Sequence, residues 1–130
     1  MGCPASNTTR AADRCRAQLF KLLPLDPSML HIIWRFRAKP DRLEQFLDRY
    51  NPEGVWAEFF RKSHDYKGTE LWKDGSDRYR FLTIDHWSSE EAYSRFCAES
   101  REEYAALDRD CEHLTEEEVR VGMFTDEESH

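Results

Sequence analysis

Tyr79-Arg80-Phe81-Leu82-Thr83-Ile84-Asp85-His86-Trp87-Ser88-Ser89-Glu90-Glu91-Ala92-Tyr93 reads as a strand that turns straight into a helix. Residues 79–87 are rich in β-branched and aromatic side chains, which suit a pleated, half-buried surface. Ser88 and Glu91 then have the Ser-x-x-Glu spacing of a capping box, which satisfies two orphan amides at a helix start. The helix predicted from Ser89 to about Cys111 carries Ala92, Tyr93, Phe96, Cys97, Ser100, Tyr104, Leu107 and Cys111 on one stripe. Glu90, Arg95, Glu99, Arg101, Glu102 and Arg109 fall largely on its wet side.

Working outward, Asp74-Gly75-Ser76-Asp77 is turn chemistry and Gly68 to Lys73 a short strand, so the two strands form a hairpin. Further upstream, Leu30, Ile32, Trp34 and Phe36 alternate with His31, Ile33, Arg35 and Arg37, the period of a strand with one apolar face. Pro40-Asp41 breaks that strand and opens a helix whose Leu43, Phe46, Leu47 and Tyr50 recur at helical spacing. After Asn51-Pro52 a second helical piece, Glu53 to Lys62, turns Val55, Trp56, Phe59 and Phe60 inward. Val119 to Phe124 supplies a fourth strand. The order strand, helix, strand, strand, helix, strand is that of a ferredoxin-like α+β unit with a four-stranded antiparallel sheet. Helices on one face leave the other, with Ile33, Leu82 and Ile84 or their alternating neighbours, in need of a partner. A homodimer is the expected solution.

The chain has 130 residues, enough for one domain, which the pattern places at 29–124. Residues 1–28 form an Ala/Arg-rich extension, partly helical or disordered, whose helical candidate Thr9 to Leu23 ends at Pro24 and Pro27. Its opening Met1-Gly2-Cys3-Pro4-Ala5-Ser6 also fits the loose pattern for N-myristoylation. Residues 125–130 are an acidic tail.

The composition is 39% hydrophobic and 13% aromatic, that of a folding chain, and the net charge of −7 argues against a nucleic-acid partner. No apolar stretch approaches a membrane span, so no membrane partner and a cytoplasmic address are expected. Cys3, Cys15, Cys97 and Cys111 are too widely spaced for a Cys-x-x-Cys zinc site and read as reduced thiols. His31, His64, His86, His113 and His130 show no metal-ligand spacing, and no glycine-rich phosphate loop can be written, so neither metal nor cofactor is expected.

Three stretches, Ile33-Trp34-Arg35-Phe36-Arg37-Ala38-Lys39-Pro40, Tyr66-Lys67-Gly68-Thr69-Glu70-Leu71 and Asp85-His86-Trp87-Ser88-Ser89-Glu90-Glu91-Ala92-Tyr93, resemble the antibiotic biosynthesis monooxygenase domain family, the dimeric α+β barrels. The resemblance covers about residues 29–124. It implies a cofactor-free oxidoreductase of the kind that oxidises aromatic polyketides. In such enzymes an Asn four residues before the junction Trp, that Trp, and a Tyr six residues after it line the pocket. Trp87 and Tyr93 match, while Thr83 stands where the Asn would be. Haem-degrading members of the superfamily are less similar, because the first strand here lacks their Asn and the long helix lacks their His ligand.

A cofactor-free oxygenase needs an acidic phenol or enol, a base, and a dry pocket where the resulting carbanion meets dioxygen. The candidate catalytic residues are Trp87, Tyr93, Thr83 and Asp85, the last because alternation puts it on the face of Thr83 and Trp87. Trp34, Trp56, Phe60, Phe96, His86 and Arg35 are the candidate walls of a pocket for a small, flat aromatic molecule. For the large rings the alternative is plain core, for Asp85 a solvated or paired carboxylate. The leading expectation is a cofactor-independent monooxygenase acting on a hydroxylated aromatic or quinol. The alternatives are a non-catalytic small-molecule-binding or stress-associated dimer, and an isomerase or cyclase of aromatic or lactone intermediates.

Overall fold

In the computed structural model, which describes residues 29–126, the two central strands of the sheet are set by a period-two burial pattern. Strand β1 (Leu30–Ala38) buries Leu30, Ile32, Trp34, Phe36 and Ala38 and leaves the alternate residues half exposed. β2 spans Tyr66–Lys73, β3 Arg80–Trp87 and β4 Thr115–Thr125, and the sheet order is β2-β3-β1-β4 with every pair antiparallel. This is the expected ferredoxin-like arrangement. The calls on the extension at residues 1–28, including the lipidation pattern at Gly2 and the thiols of Cys3 and Cys15, lie outside the described residues, as does most of the acidic tail.

Helices α1 (Leu43–Tyr50), α2 (Val55–Phe60), α3 (Glu90–Glu99) and α4 (Arg101–Cys111) cover one face of the sheet. A 3-10 turn, Pro40–Arg42, precedes α1, with proline at a position where a missing N–H costs nothing. Gly54 starts α2 where the chain doubles back over α1. A Cβ there would stand 2.6 Å from the Asp48 carbonyl oxygen and 2.8 Å from that of Arg49, and backbone cannot yield. Gly54→Ala is therefore expected to lower stability by about 1–3 kcal/mol, read as the midpoint of urea unfolding.

The long helix anticipated from Ser89 to Cys111 is two helices. Ser100, at φ −112° and ψ 27°, leaves helical geometry between them, a place where a serine's tendency to compete for backbone hydrogen bonds is harmless. The cap also differs from the Ser88 box. Ser89 Oγ accepts from the Ala92 N–H at 3.0 Å, while Ser88 donates its hydroxyl to Asp65 at 2.8 Å and ties the β3 exit to the loop before β2.

The core between helices and sheet is mostly aromatic rings touching rings. Trp56 meets Tyr104 and Phe60 at centroid distances of 5.2 and 5.7 Å, and Trp87 meets Phe96 and Phe60 at 5.2 and 5.5 Å. Each fully buried Trp contributes roughly 4–6 kcal/mol of transfer free energy before the entropy of ordering it is subtracted.

Among the described residues no helix lies on the opposite face of the sheet. Its rows, read across the strands, are Trp72-Leu82-Arg35-Val119, Glu70-Ile84-Ile33-Gly122 and Gly68-His86-His31-Phe124. Four of the exposed large hydrophobics, Trp72, Leu82, Val119 and Phe124, belong to these rows. Three strand arginines pair with acids of the same chain, Arg35 with Glu117, Arg37 with Asp77 and Glu116, and Arg80 with Asp74 and Asp77, while the Nε groups of Arg35 and Arg80 are buried without a hydrogen-bond partner among the described residues.

Candidate functional site

Polar groups are rare in this core, and on the inner face of the β2–β3 hairpin they gather. β3 turns Thr83, Asp85 and Trp87 toward the helices by strict alternation, at 0%, 2% and 0% exposure. A hairpin centred near Asp77 pairs Thr69 with Asp85, Leu71 with Thr83 and Tyr66 with Trp87. Thr69 Oγ1 donates to Asp85 Oδ1 at 2.6 Å, and the Tyr66 hydroxyl lies 2.5 Å from Thr69 Oγ1. Because the Thr69 proton is engaged by Asp85, the Tyr66 phenol is the donor in the second bond.

Burial dominates the electrostatics. Removing the Asp85 carboxyl from water pushes its pKa up to about 7, and the bond from Thr69 opposes that shift only in part. Tyr66 is pushed up to about 12 by burial and so stays a phenol, able to donate. Tyr93, on α3, is held well above the ordinary phenol range by burial, and its hydroxyl interacts with Cys97 and Tyr104. Thr83 Oγ1 and the Trp87 indole N–H, on either side of Asp85 along β3, are buried and have no hydrogen-bond partner among the described residues. Buried polar atoms are nearly always satisfied, and these two share the condition with Tyr50 and Trp56 in the same core; what sets them apart is that they flank the buried Asp85 carboxyl along one strand.

The sheet divides the residues singled out from the sequence. Thr83, Asp85, Trp87, Tyr93, Phe96, Phe60, Trp56 and Trp34 are all buried on the helix side. Trp34 lies on β1 across from Thr83 and stacks on Phe36 at 6.0 Å. Trp56 sits behind Phe60 rather than beside Asp85, with Tyr50 at 6.3 Å as another neighbour. Trp87 and Tyr93 meet edge-on at 5.3 Å.

His86 and Arg35 are a correction to the pocket set: they alternate with the buried residues of β3 and β1 and emerge on the helix-free face. There His86 Nδ1 and His31 Nδ1 share a 2.7 Å bond, with Glu70 2.6 Å from His86 Nε2 and Asp126 2.8 Å from His31 Nε2. Thr69 and Tyr66 escaped the sequence reading. The signal lay in the hairpin register, which a turn centred near Asp77 fixes once the loop length is known.

A surface cleft of about 310 Å3 opens between the loop after α2 and helix α3, lined by Lys62, His64, Asp65, Arg95, Phe96 and Glu99 among others. Phe96 forms part of its floor and touches Trp87 on its other side. Among the described residues no group of three or more His, Cys, Asp or Glu side chains is arranged to hold a metal, and no helix is long and apolar enough to cross a membrane. Cys97 and Cys111 are buried thiols outside any disulfide.

A four-stranded antiparallel sheet with helices on one face is an architecture shared with several solved structures. The chain has the fold of the antibiotic biosynthesis monooxygenases. SnoaB, a cofactor-independent oxygenase from Streptomyces nogalater whose matched structure is a point variant, superposes with a TM-score of 0.56 at 19% identity over 78% of this chain and 96% of that one. A candidate antibiotic biosynthesis monooxygenase from Nitrosomonas europaea gives 0.56 at 14% identity, over 80% and 95%. Another antibiotic biosynthesis monooxygenase gives 0.53 at 17% identity, over 78% and 99%. No protein-family profile and no curated protein matches the sequence.

Proposed function

We propose that this protein is a cofactor-independent monooxygenase that oxidises a small hydroxylated aromatic or quinol, working as a homodimer. The observation that carries the reading is Asp85, a buried carboxyl balanced near neutrality, flanked along β3 by the unpartnered Thr83 hydroxyl and Trp87 indole N–H. The named oxygenase among its structural neighbours points the same way.

The chemistry assigns each group one task. Thr83 and Trp87 donate hydrogen bonds to an oxygen of the flat substrate, and Asp85 takes its acidic C–H or O–H proton. The delocalised anion left behind gives one electron to dioxygen, and recombination forms a carbon–peroxide bond. Return of the proton expels water and leaves a carbonyl, so that an anthrone-type CH2 plus O2 becomes C=O plus H2O. The aromatic walls exclude bulk water from the anion. Tyr93, a phenol at every working pH, shapes the wall and donates. The cleft above Phe96 is the approach, and the Phe96 ring must turn aside to admit a ligand to Trp87.

Oxygen uptake tests this directly, with anthrones and quinols presented to purified protein. Uptake above the enzyme-free rate is expected, and none across the panel would defeat the oxygenase reading. Ligand retained without turnover would favour a sequestering dimer, and rearranged product without oxygen uptake an isomerase or cyclase. Trp87→Phe and Tyr93→Phe are each expected to lower kcat/KM about tenfold, a loss of ~1.4 kcal/mol. Unchanged rates would return both rings to a packing role.

A further inference from the structure

Residues three apart on a regular strand point to opposite faces, yet Tyr66 and Thr69 of β2 both face the helices. The cause is a bulge: the register shifts between Tyr66 and Gly68, so that Tyr66 pairs with Trp87, Gly68 with His86 and Thr69 with Asp85, with Lys67 as the extra residue. Gly68 adopts φ +117°, a region that side chains rarely enter, and a Cβ on it would meet nothing within 4 Å. The glycine is therefore there for its backbone conformation and not for space. The extra residue brings the Tyr66 hydroxyl over Thr69 Oγ1 and Thr69 Oγ1 onto Asp85, so the bulge and the hydrogen-bond chain are one construction.

We propose that the Gly68 bulge positions the base of the reaction: Tyr66 donates to Thr69, Thr69 to Asp85 Oδ1, and the second Asp85 oxygen is thereby left as the one that receives the substrate proton. The proposal rests on the reading of Asp85 as that base. Tyr66 and Thr69 are positioning residues, since neither exchanges a proton with substrate. Their donation does two things. It fixes the plane of a carboxyl that has no other hydrogen-bond partner among the described residues, and it favours the ionised form that burial disfavours. A donor chain polarised in one direction strengthens each of its bonds.

The groups facing Asp85 make this chain its main adjustable influence. Across from it on β1 is the apolar Ile32, and beside it on β3 are Thr83 and Trp87. Among the described residues the titratable groups nearby include two phenols, Tyr66 on β2 and Tyr93 on α3, both kept neutral by burial. The far end of the chain, the Tyr66 phenol, feels the exposed charges of Arg61 and Glu53.

The test follows the Asp85 carboxyl by carbon-13 NMR titration in substrate-free protein, alongside the pH profile of kcat/KM for oxygen uptake. Thr69→Val is expected to move the Asp85 midpoint upward by about one pH unit and to carry the rate profile with it. Thr69→Ser, which keeps the hydroxyl, restores both, and Tyr66→Phe shifts both in the same direction by less. Should Thr69→Val fail to fold, the Tyr66→Phe comparison decides alone. A midpoint that stays or falls in these variants overturns the proposal. A midpoint that rises as expected in a protein that oxidises no quinol or anthrone upholds the positioning and defeats the oxygenase reading instead.

Discussion

Asp85→Asn is expected to cut oxygen uptake by at least about 100-fold and, at pH 8, to make the protein more stable. The first effect is the ordinary contribution of a positioned general base, which runs from about 100- to 10,000-fold. The second follows from linkage. Asp85 ionises near pH 4 in the unfolded chain and at about 7 in the folded protein, so between those values the folded state binds more protons and loses stability as pH rises. Integrated over that window the loss is about 4 kcal/mol, and it is complete just above pH 7. Asparagine fits the same space, accepts from Thr69, and never ionises. The melting temperatures of wild type and variant should therefore agree near pH 4, separate through pH 4–7 with the variant higher, and stay a fixed distance apart above it. Parallel curves would mean that Asp85 is not held near neutrality. An active Asp85→Asn variant would mean that another group is the base. Wild-type activity should rise with pH to a plateau above about 7, because only the ionised carboxylate accepts a proton.

A fold that gains stability when a proposed base is removed would show the usual trade between folding and function. Native chains retain buried ionisable groups where chemistry requires them, and the cost appears as pH-dependent stability. Here Asp85 is a carboxyl that carries such a cost. Its neighbours Tyr66, Tyr93 and Tyr104 are buried as neutral phenols and impose no such penalty at working pH.

The sequence carried the sheet well because alternation is a local signal. Leu30 to Arg37 and Tyr79 to Trp87 announce their faces without any tertiary information, and the face shared by Thr83, Asp85 and Trp87 follows from arithmetic alone. What depends on register or on partner choice was not legible. β4 begins at Thr115 rather than Val119, since Glu116, Glu117 and Glu118 have low strand propensity by themselves. They join the sheet where Glu116 and Glu117 meet Arg37 and Arg35 on β1. The partner of Asp85 was hidden for the same reason. Thr69 lies beyond a bulge whose only trace in the sequence is a glycine, and glycines in strands have several uses. The break at Ser100 falls within an apolar stripe that continues across it, so periodicity could not reveal it.

If two copies pair through the helix-free face as proposed, replacing Leu82 and Val119 together with lysine is expected to leave a monomer without unfolding the chain. Both residues are exposed, at 36% and 37%, and flank Arg35 in one row across β3, β1 and β4. The single chain therefore loses little packing. Against a second copy the row becomes three like charges facing their symmetry mates, each desolvated on association. Disrupting a hot-spot position at the centre of an interface costs about 2 kcal/mol or more, so the dissociation constant should rise by at least about 30-fold. The bare face has the composition that pairing needs, an apolar centre of Ile33, Ile84, Leu82 and Val119 with Arg35–Glu117, Arg37–Glu116 and the His31–His86 pair among it and around it. Sedimentation velocity at micromolar concentration should report a dimer for the wild type and a monomer for the double variant, with identical far-ultraviolet circular dichroism. A monomeric wild type would sink the pairing of these sheets. A variant that remains dimeric would move the interface elsewhere on the molecule. If the monomer still oxidises substrate, the site under the helices is complete in one chain; if it does not, closing the sheet against its twin is what holds the β2–β3 hairpin, and with it Asp85, in working geometry.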